Sequence, residues 1–152
     1  VIIRLRFSYI YKMEEKYLIY CDGGSRGNPG PAASAFVVTN LEGKLIYSEG
    51  KYLGIETNNV AEYEAVLLAV NWIAKKQISN IKLQITINLD SQLVERQLNG
   101  FYKIKSNKLI VLADKIKTIV NNNNLKITFV WGYREKNKLA DSLVNETLDK
   151  SK

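Results

Sequence analysis

Histidine is absent from the 152 residues of this chain, and cysteine occurs once, as Cys21. The chain therefore has no imidazole to act as a general base or as a metal ligand. A single cysteine excludes an internal disulfide, which is typical of a reducing compartment, and we expect a cytoplasmic location. Cys21 lies in an apolar run, which favours a buried and inert thiol. Carboxylates remain as the ligands for a hard metal such as magnesium.

Long hydrophobic runs are also absent. No stretch approaches the roughly 18 apolar residues of a membrane span, and Arg4 and Arg6 interrupt the first apolar stretch, unlike the core of a signal peptide. Because Met13 is the sole methionine, one interpretation is that residues 1–12 are an extension upstream of the true start and that residues 13–152 form a single domain. The alternative is an extra strand, because apolar side chains alternate there, at Ile3, Leu5, Phe7, Tyr9 and Tyr11.

What the chain has in excess is positive charge. Lysine and arginine total 22 against 15 acidic residues, a formal net charge of +7. A polyanionic partner such as nucleic acid would suit this balance, but so would a protein with no such role. The 46% of apolar residues is enough for a substantial core.

The spacing of apolar residues predicts one α/β domain. Strand patterns cover residues 16–22, 33–39, 44–53, 81–90 and 125–131, and helical patterns cover 59–76, 91–100, 107–121 and 135–150. The order β-β-β-α-β-α-α-β-α predicts a mixed sheet covered by helices. No repeat, linker or second domain is visible.

The first strand pattern ends within the stretch YCDGGSRGNPGP, Tyr20 to Pro31. Asp22 is the last residue of that pattern, and four glycines occur in the eight residues after it. Asp-Gly is a common signal for a tight turn. The alternative is that a bulky charged ligand approaches the backbone here, beside a carboxylate. The dinucleotide-binding and P-loop fingerprints do not apply, because no G-x-G-x-x-G or Gly-Lys-Ser/Thr pattern is present and the next element is a strand.

Four carboxylates are candidate site residues, although each has an ordinary structural explanation. Asp22 could open a turn, and Asp90 could be the N-cap of the helix that follows it. Glu62 could complete a capping box with Asn59, and Asp141 could lie on a solvated helix edge.

Taken together, the four acids indicate a metal site. Asp22 and Asp90 follow strands at their carboxyl ends, where open α/β sheets place their sites, and helices carrying Glu62 and Asp141 could pack over that edge. Clustered carboxylates repel one another unless cations lie among them. Two magnesium ions about 3.5–4 Å apart could activate a water and stabilise the leaving oxygen of a phosphodiester.

Four motifs in this order closely resemble the type 1 ribonuclease H family: YCDGGSRGNPGP, TNNVAEYEA, NLDSQLVERQLNG and REKNKLADSLVNE. The resemblance spans about residues 16–149 and implies a five-stranded mixed sheet with flanking helices. It implies metal-dependent endonucleolytic hydrolysis of the RNA strand of RNA–DNA hybrids, leaving 3′-hydroxyl and 5′-phosphate ends. Two Mg²⁺ ions are the implied cofactors, with Mn²⁺ able to substitute.

The resemblance also implies roles for individual residues. The catalytic and metal-binding set is Asp22, Glu62, Asp90 and Asp141. The residues implied to meet the substrate are Gly23, Gly24, Ser25, Asn28, Asn58, Asn59 and Gln92. Amide side chains are both donors and acceptors, as is the 2′-hydroxyl that distinguishes RNA from DNA.

The chain departs from the family pattern in two places. Many members carry a histidine before the final helix, but here the loop is the short WGYREKNK, which contains Tyr133 and Arg134. Arg134 is a candidate phosphate contact, but it cannot act as a base at neutral pH. This loop resembles the compact, archaeal-like branch, some members of which also cleave double-stranded RNA. The basic protrusion of some bacterial members is reduced, and Lys103, Lys105 and Lys108 form either a weaker phosphate patch or an ordinary solvated face.

We therefore expect a ribonuclease H that acts as a monomer, without a membrane or an obligatory protein partner. The alternatives are a nuclease of the same fold that acts on duplex RNA or on RNA–DNA junctions, and an inactive hybrid-binding module. The intact set of four acids argues against the binding module.

Overall fold

The computed structural model describes residues 13–76, 81–132 and 134–152. The proposed extension, residues 1–12, and Tyr133 lie outside these ranges. The elements in chain order are β1 (Met13–Ser25), β2 (Gly30–Thr39), β3 (Leu45–Glu56), α1 (Asn58–Lys76), β4 (Ile81–Leu89), α2 (Gln92–Leu98), α3 (Asn107–Asn122), β5 (Lys126–Trp131), a short 3-10 helix (Arg134–Asn137) and α4 (Lys138–Lys150). This is the predicted order. Among the described residues, no helix has the length and apolar character needed to cross a membrane.

The strands form the expected mixed five-stranded sheet, in the order β3-β2-β1-β4-β5. β1, β2 and β3 pair antiparallel, whereas β1, β4 and β5 pair parallel. Helices α1 and α3 cover one face, over a core that includes Ile19, Phe36 and Val66. Helix α4 covers the other face, where Val144 and Leu148 pack on small side chains of β2. The sheet is therefore buried on both sides around β1.

The functional edge is set by where the parallel ladder stops. The last β1–β4 pair is Cys21 with Leu89, so Asp22 and Asp90 are the next residue on each strand. The expectation that the first strand ends at Asp22 is wrong, because β1 continues to Ser25 through its pairing with β2. Asp22 is thus paired with β2 on one side, whereas on the other side the pairing with β4 has ended.

Two of the ordinary explanations for the acids are also wrong. The N-cap of α1 is Thr57, whose hydroxyl accepts a hydrogen bond from the Val60 N–H at 3.2 Å, and the N-cap of α2 is Ser91. Hydroxyl caps therefore leave Glu62 and Asp90 available for another role.

Candidate active site

Three carboxylates from three different elements converge at the open edge of the sheet. Asp22 comes from β1, Glu62 from the second turn of α1, and Asp90 from the residue after β4. One oxygen from each lies within 4.8 Å of the other two. The parallel register brings Asp22 and Asp90 together, and the packing of α1 on β1 brings in Glu62.

The electrostatics of this cluster are unfavourable without a cation. Burial, followed by the charges of Asp90 and Asp141, raises the pKa of Asp22 to about 7. Burial, followed by the charges of Asp90 and Asp22, raises the pKa of Glu62 well above its usual value. Asp22 and Glu62 therefore resist ionisation, first because they are buried and second because their neighbours are also acids.

The side chain of Glu62 is consistent with a metal ligand. Its Oε2 is buried and has no hydrogen-bond partner among the described residues. A buried, unsatisfied carboxylate oxygen costs free energy unless another group pairs with it. An all-oxygen donor set without histidine or thiol suits a hard cation such as Mg²⁺.

The fourth predicted acid, Asp141, lies on the wall of the same cleft but outside the three-acid cluster. It is half-buried on the first turn of α4. Just before α4, the buried residue Asn137 donates from its amide nitrogen to the Cys21 carbonyl at 2.8 Å, which joins the start of this helix to β1. The solvated-edge explanation for Asp141 therefore does not fit, because its carboxylate adds to the field that raises the pKa of Asp22.

The first glycine after Asp22 is required by close packing. A Cβ at Gly23 would lie 2.1 Å from the backbone carbon of Ala61 and 2.4 Å from the Glu62 nitrogen. Opposite Gly23 in the ladder is Ser34, whose hydroxyl donates to the Ala61 carbonyl at 2.6 Å. The missing side chain lets the first turns of α1 press against β1, and this contact delivers Glu62 to Asp22.

A chain of amide hydrogen bonds joins the glycine loop to the start of α1. The Oδ1 of Asn58 accepts from the Ser25 N–H at 2.9 Å, and the Oδ1 of Asn28 accepts from the Asn58 N–H at 3.1 Å. Both Oδ1 atoms are thus engaged, which leaves the Nδ2 group of each asparagine as its remaining side-chain hydrogen-bonding group. Asn58 lines the cleft that contains the acids, so its amide nitrogen is a side-chain donor on the wall of that cleft.

Comparisons with known proteins agree with this site. A family model described as reverse transcriptase-like matches residues 20–147. LC11-RNase H1, isolated from compost and solved in complex with an RNA/DNA hybrid, has a TM-score of 0.85 and 39% identity, and the alignment covers 89% of this chain and 98% of that chain. The chain belongs to the type 1 ribonuclease H family.

Curated ribonuclease H relatives include an archaeal protein, as the short loop predicted. Ribonuclease HI of Halobacterium salinarum is 37% identical over 86% of this chain and 63% of its own length. A bifunctional protein of Mycobacterium tuberculosis is 33% identical over 88% of this chain but only 36% of its own length. This ribonuclease H chain thus spans between about a third and two thirds of these relatives.

Within this ribonuclease H cleft, of about 340 Å³, the structure gathers most of the predicted residues. The lining includes Asp22, Glu62, Asp90, Asp141, Gly23, Gly24, Ser25, Asn58 and Arg134. Three predicted substrate residues, Asn28, Asn59 and Gln92, are exposed and lie outside the cleft lining. In the sequence these three residues lie within two positions of residues that line the cleft. They are therefore suited to contacts with parts of a ligand that lie farther from the acids.

Sequence reasoning missed two polar residues that line the ribonuclease H cleft, Arg26 and Asn145. Arg26 forms an ion pair with Asp149 at 2.8 Å and approaches the Asn145 carbonyl at 3.4 Å, so it fastens the glycine loop to α4. The signal for Asn145 was its position one helical turn after Asp141. The signal for Arg26 was its position within the glycine-rich motif YCDGGSRGNPGP.

Arg134 occupies the region where many ribonucleases H carry a histidine. Its side chain is 80% exposed, and its Nε lies 3.8 Å from Asp90 Oδ2. The indole N–H of Trp131, from the end of β5, donates to the backbone carbonyl of Asp90 at 3.3 Å. Asp90 is thus contacted from two sides, while the guanidinium stays accessible to an anion.

Proposed function

We propose that the chain is an endonuclease that hydrolyses the RNA strand of RNA–DNA hybrids. Asp22, Glu62, Asp90 and Asp141 would hold two Mg²⁺ ions, with Mn²⁺ as a possible substitute. The observation that carries this proposal is the convergence of three mutually repelling carboxylates, one with an unpaired buried oxygen, in a cleft beside a loop rich in backbone and amide donors. Membership of the ribonuclease H family supports the substrate.

The acids suit this chemistry by their positions. Bound Mg²⁺ supplies Lewis-acid polarisation of the phosphate and lowers the pKa of an attacking water. Asp22, Glu62 and Asp90 would hold the metal charge at the sheet edge, and Asp141 would contribute from α4 on the wall of the same cleft. Water would add to phosphorus as the bond to the 3′ oxygen breaks, and the proton that the water loses would be replaced at the leaving oxygen from solvent. The products are then a 3′-hydroxyl and a 5′-phosphate.

The donors around the acids would orient the substrate. The loop residues Gly23, Gly24 and Ser25 leave room for a nucleic-acid backbone, and Arg134 is an accessible partner for a phosphate. The amides of Asn28, Asn58, Asn59 and Gln92 would contact the minor groove, where the 2′-hydroxyl distinguishes RNA from DNA. The fixed orientation of Asn58 and Asn28 supports a recognition role for those two residues.

Cleavage assays test the proposal. Labelled RNA–DNA hybrid, duplex RNA, a chimeric junction and duplex DNA are incubated with the protein in Mg²⁺, and the product ends are analysed. We expect hybrid to be cut fastest, and the Asp22→Asn and Asp90→Asn variants to lose at least about a hundredfold in rate. Asp114→Asn, an exposed acid on α3, is the matched control.

The outcomes separate the alternatives. Faster cleavage of duplex RNA or of the junction would replace the hybrid as the substrate. Hybrid binding without cleavage would identify an inactive binding module. Rates within about threefold of the parent in both Asp→Asn variants would contradict the assignment of the site.

A further inference from the structure

The outer edge of β3 has no partner strand in the described part of the chain. β3 stands first in the sheet order β3-β2-β1-β4-β5, so only β2 pairs with it. With 12 residues it is twice as long as β5, the 6-residue strand at the opposite edge. The backbone N–H and C=O groups on the outer side of such a strand are available to pair with another chain.

Apolar side chains lie at both ends of this strand. Its large apolar residues are exposed to between 38% and 66%, and they are Leu45, Ile46, Tyr47, Tyr52 and Ile55. Removing apolar surface of this kind from water is favourable. A partner along the edge would therefore gain apolar contacts as well as backbone hydrogen bonds.

The sequence of β3 is complementary to itself when its direction is reversed. The stretch reads KLIYSEGKYLGIE from Lys44 to Glu56, and Gly50 is its middle residue. When two copies lie antiparallel with Gly50 opposite Gly50, each residue faces the one that is equally far on the other side of the centre. The opposed pairs then include Glu49 with Lys51, Ser48 with Tyr52, and Leu45 with Ile55. Opposite charges directly across a strand pair stabilise it, whereas like charges destabilise it.

Two bulges in β3 are compatible with this arrangement. Relative to β2, the strand has one extra residue near each end, Ile46 and Leu53, at the points where the register shifts. In the antiparallel arrangement, the extra residue near the end of one copy lies within one position of the extra residue near the start of the other. Both strands therefore gain one residue at each end of the interface, and the pairing beyond the bulges stays in register.

The central charges are available to a second copy. Glu49 lies opposite the core residue Phe36 in the β2–β3 ladder, so it and Lys51 are on the face of the sheet that α1 covers. Neither of them forms an ion pair with any residue that the structure describes. The carboxylate of Glu49 accepts a hydrogen bond from the Tyr47 hydroxyl at 3.0 Å, which leaves its other oxygen for a cation across the edge.

We propose that two copies of this chain associate through β3, antiparallel and centred on Gly50, into one continuous sheet with five strands from each copy. The same strand serves both copies, as in an isologous dimer with twofold symmetry. β3 runs parallel to β1, because both pair antiparallel with β2. The two acidic clefts therefore open at opposite ends of the dimer, and no residue of β3 lines either cleft. This dimer takes the place of the monomer expected from the sequence, and it does not depend on the proposed function.

Charge reversal tests both the association and its register. The full chain is followed by sedimentation velocity, and we expect it to dimerise between about 1 and 100 μM, because a strand-edge interface is small. Lys51→Glu and Glu49→Lys each place like charges opposite one another twice in the dimer, so each should weaken it at least about tenfold. An equimolar mixture of the two variants should dimerise again, because opposite charges then face each other at both positions.

Control variants separate this effect from net charge and folding. Lys117→Glu and Asp114→Lys make the same changes in charge on exposed residues of α3, away from β3, and should dimerise like the parent. A chain that carries both Glu49→Lys and Lys51→Glu restores the opposed charges and should also dimerise, and it serves if either single variant melts early.

The outcomes decide the proposal without reference to cleavage. Dimerisation of the mixture, with both single variants impaired, would support the register centred on Gly50. A parent that stays monomeric at every concentration would overturn the proposal and leave the edge to another occupant. A dimer that both single variants form as well as the parent would also overturn it, because association would then use another surface. Hybrid cleavage by the dissociated variants tests the proposed function separately, since their acids are unchanged.

Discussion

The side-chain amide of Asn137 donates a hydrogen bond to the backbone carbonyl of Cys21 across 2.8 Å, and both residues are buried. Cys21 immediately precedes Asp22, and Asn137 precedes Asp141 by one helical turn. This single bond therefore ties the strand that carries one acid to the helix that carries another. No other amide of the described residues joins β1 to the start of α4.

Asn137→Ala should separate these two acids. The lost bond leaves a buried carbonyl unpaired, which should cost about 1–3 kcal/mol of unfolding free energy. If Asp141 then drifts from the cluster, the Mg²⁺ concentration needed for half-maximal activity should rise severalfold and kcat should fall, with KM for hybrid little changed. Mg²⁺ titrations by activity and by calorimetry measure the effect.

Asn99→Ala is the matched control for that change. Asn99 also donates an amide hydrogen bond to a backbone carbonyl, that of Phe129 at 3.2 Å, but outside the acidic cleft. It should lose some stability and keep the parent's response to Mg²⁺. An Asn137 variant that loses only stability, in the same way, would show that Asn137 does not position the site.

The stability of the metal-free protein should depend on pH through Asp22. Its pKa is raised to about 7 in the folded chain, against about 3.9 for an unfolded aspartate. Between these values the folded state binds more protons than the unfolded state, so the free energy of unfolding falls as pH rises from about 4 to about 7. Thermal melts in a chelator across this range should show the decline, and Mg²⁺ should reduce it.

Asp22→Asn isolates this contribution from the titration of other groups. The variant has no proton to lose at this position, and it relieves the repulsion on Glu62 as well. Its melting temperature should therefore fall less steeply with pH than that of the parent. Parallel curves for the two proteins would contradict the proton linkage at Asp22.

Glu62→Gln should raise the stability of the metal-free protein and lower its cleavage activity. The substitution removes a buried charge that neighbouring acids repel, so the metal-free protein should melt a few degrees higher at pH 8, where the repulsion is greatest. The same change should abolish most of the stabilisation by Mg²⁺ and lower cleavage by at least about a hundredfold. Melting curves with and without Mg²⁺ measure both effects, and an unchanged Mg²⁺ shift would argue against Glu62 as a ligand.

The sequence predicted the acids because their signals are local. Asp22 and Asp90 each follow an apolar run with a strand pattern, and the carboxyl ends of parallel strands meet at one edge of a sheet. Glu62 and Asp141 were weaker signals, because a carboxylate near an apolar helix face has several ordinary explanations, and the family resemblance strengthened their assignment. In the structure all four acids line one cleft, with Asp141 outside the cluster of the other three.

The remaining features depend on contacts that no local pattern encodes. Thr57, Asn58 and Asn59 are all good N-caps by residue type, and only the folded structure shows that Thr57 takes that role. The ion pair that removes Lys108 from the phosphate patch joins it to Glu56, 52 residues away in the chain. The Asn137–Cys21 bond spans 116 residues. Such pairings become visible only when the sheet and helices are assembled.

Two adjacent glycines provide a test of how closely the active site is packed. A Cβ at Gly23 would meet Ala61 backbone atoms at 2.1 and 2.3 Å, whereas at Gly24 the nearest atom would be a methyl carbon of Val144 at 3.6 Å. Gly23→Ala must therefore push α1 away from β1, because backbone cannot yield as a flexible side chain can. We expect a loss of about 3 kcal/mol or more.

The two alanine variants should differ more in cleavage rate than in stability. Displacing α1 moves Glu62 away from Asp22, and a shift of about 1 Å at a catalytic group can cost about a hundredfold in rate. Gly24→Ala, with ordinary contact distances, should fold like the parent and keep the Mg²⁺ dependence of cleavage. Because Gly24 lines the substrate cleft, its added methyl group should act on KM for hybrid and not on the response to Mg²⁺. Hybrid cleavage and melting temperature are compared for both variants at equal Mg²⁺. If Gly23→Ala cleaved at the parent's rate, the contact between β1 and α1 would not be what places Glu62 beside Asp22.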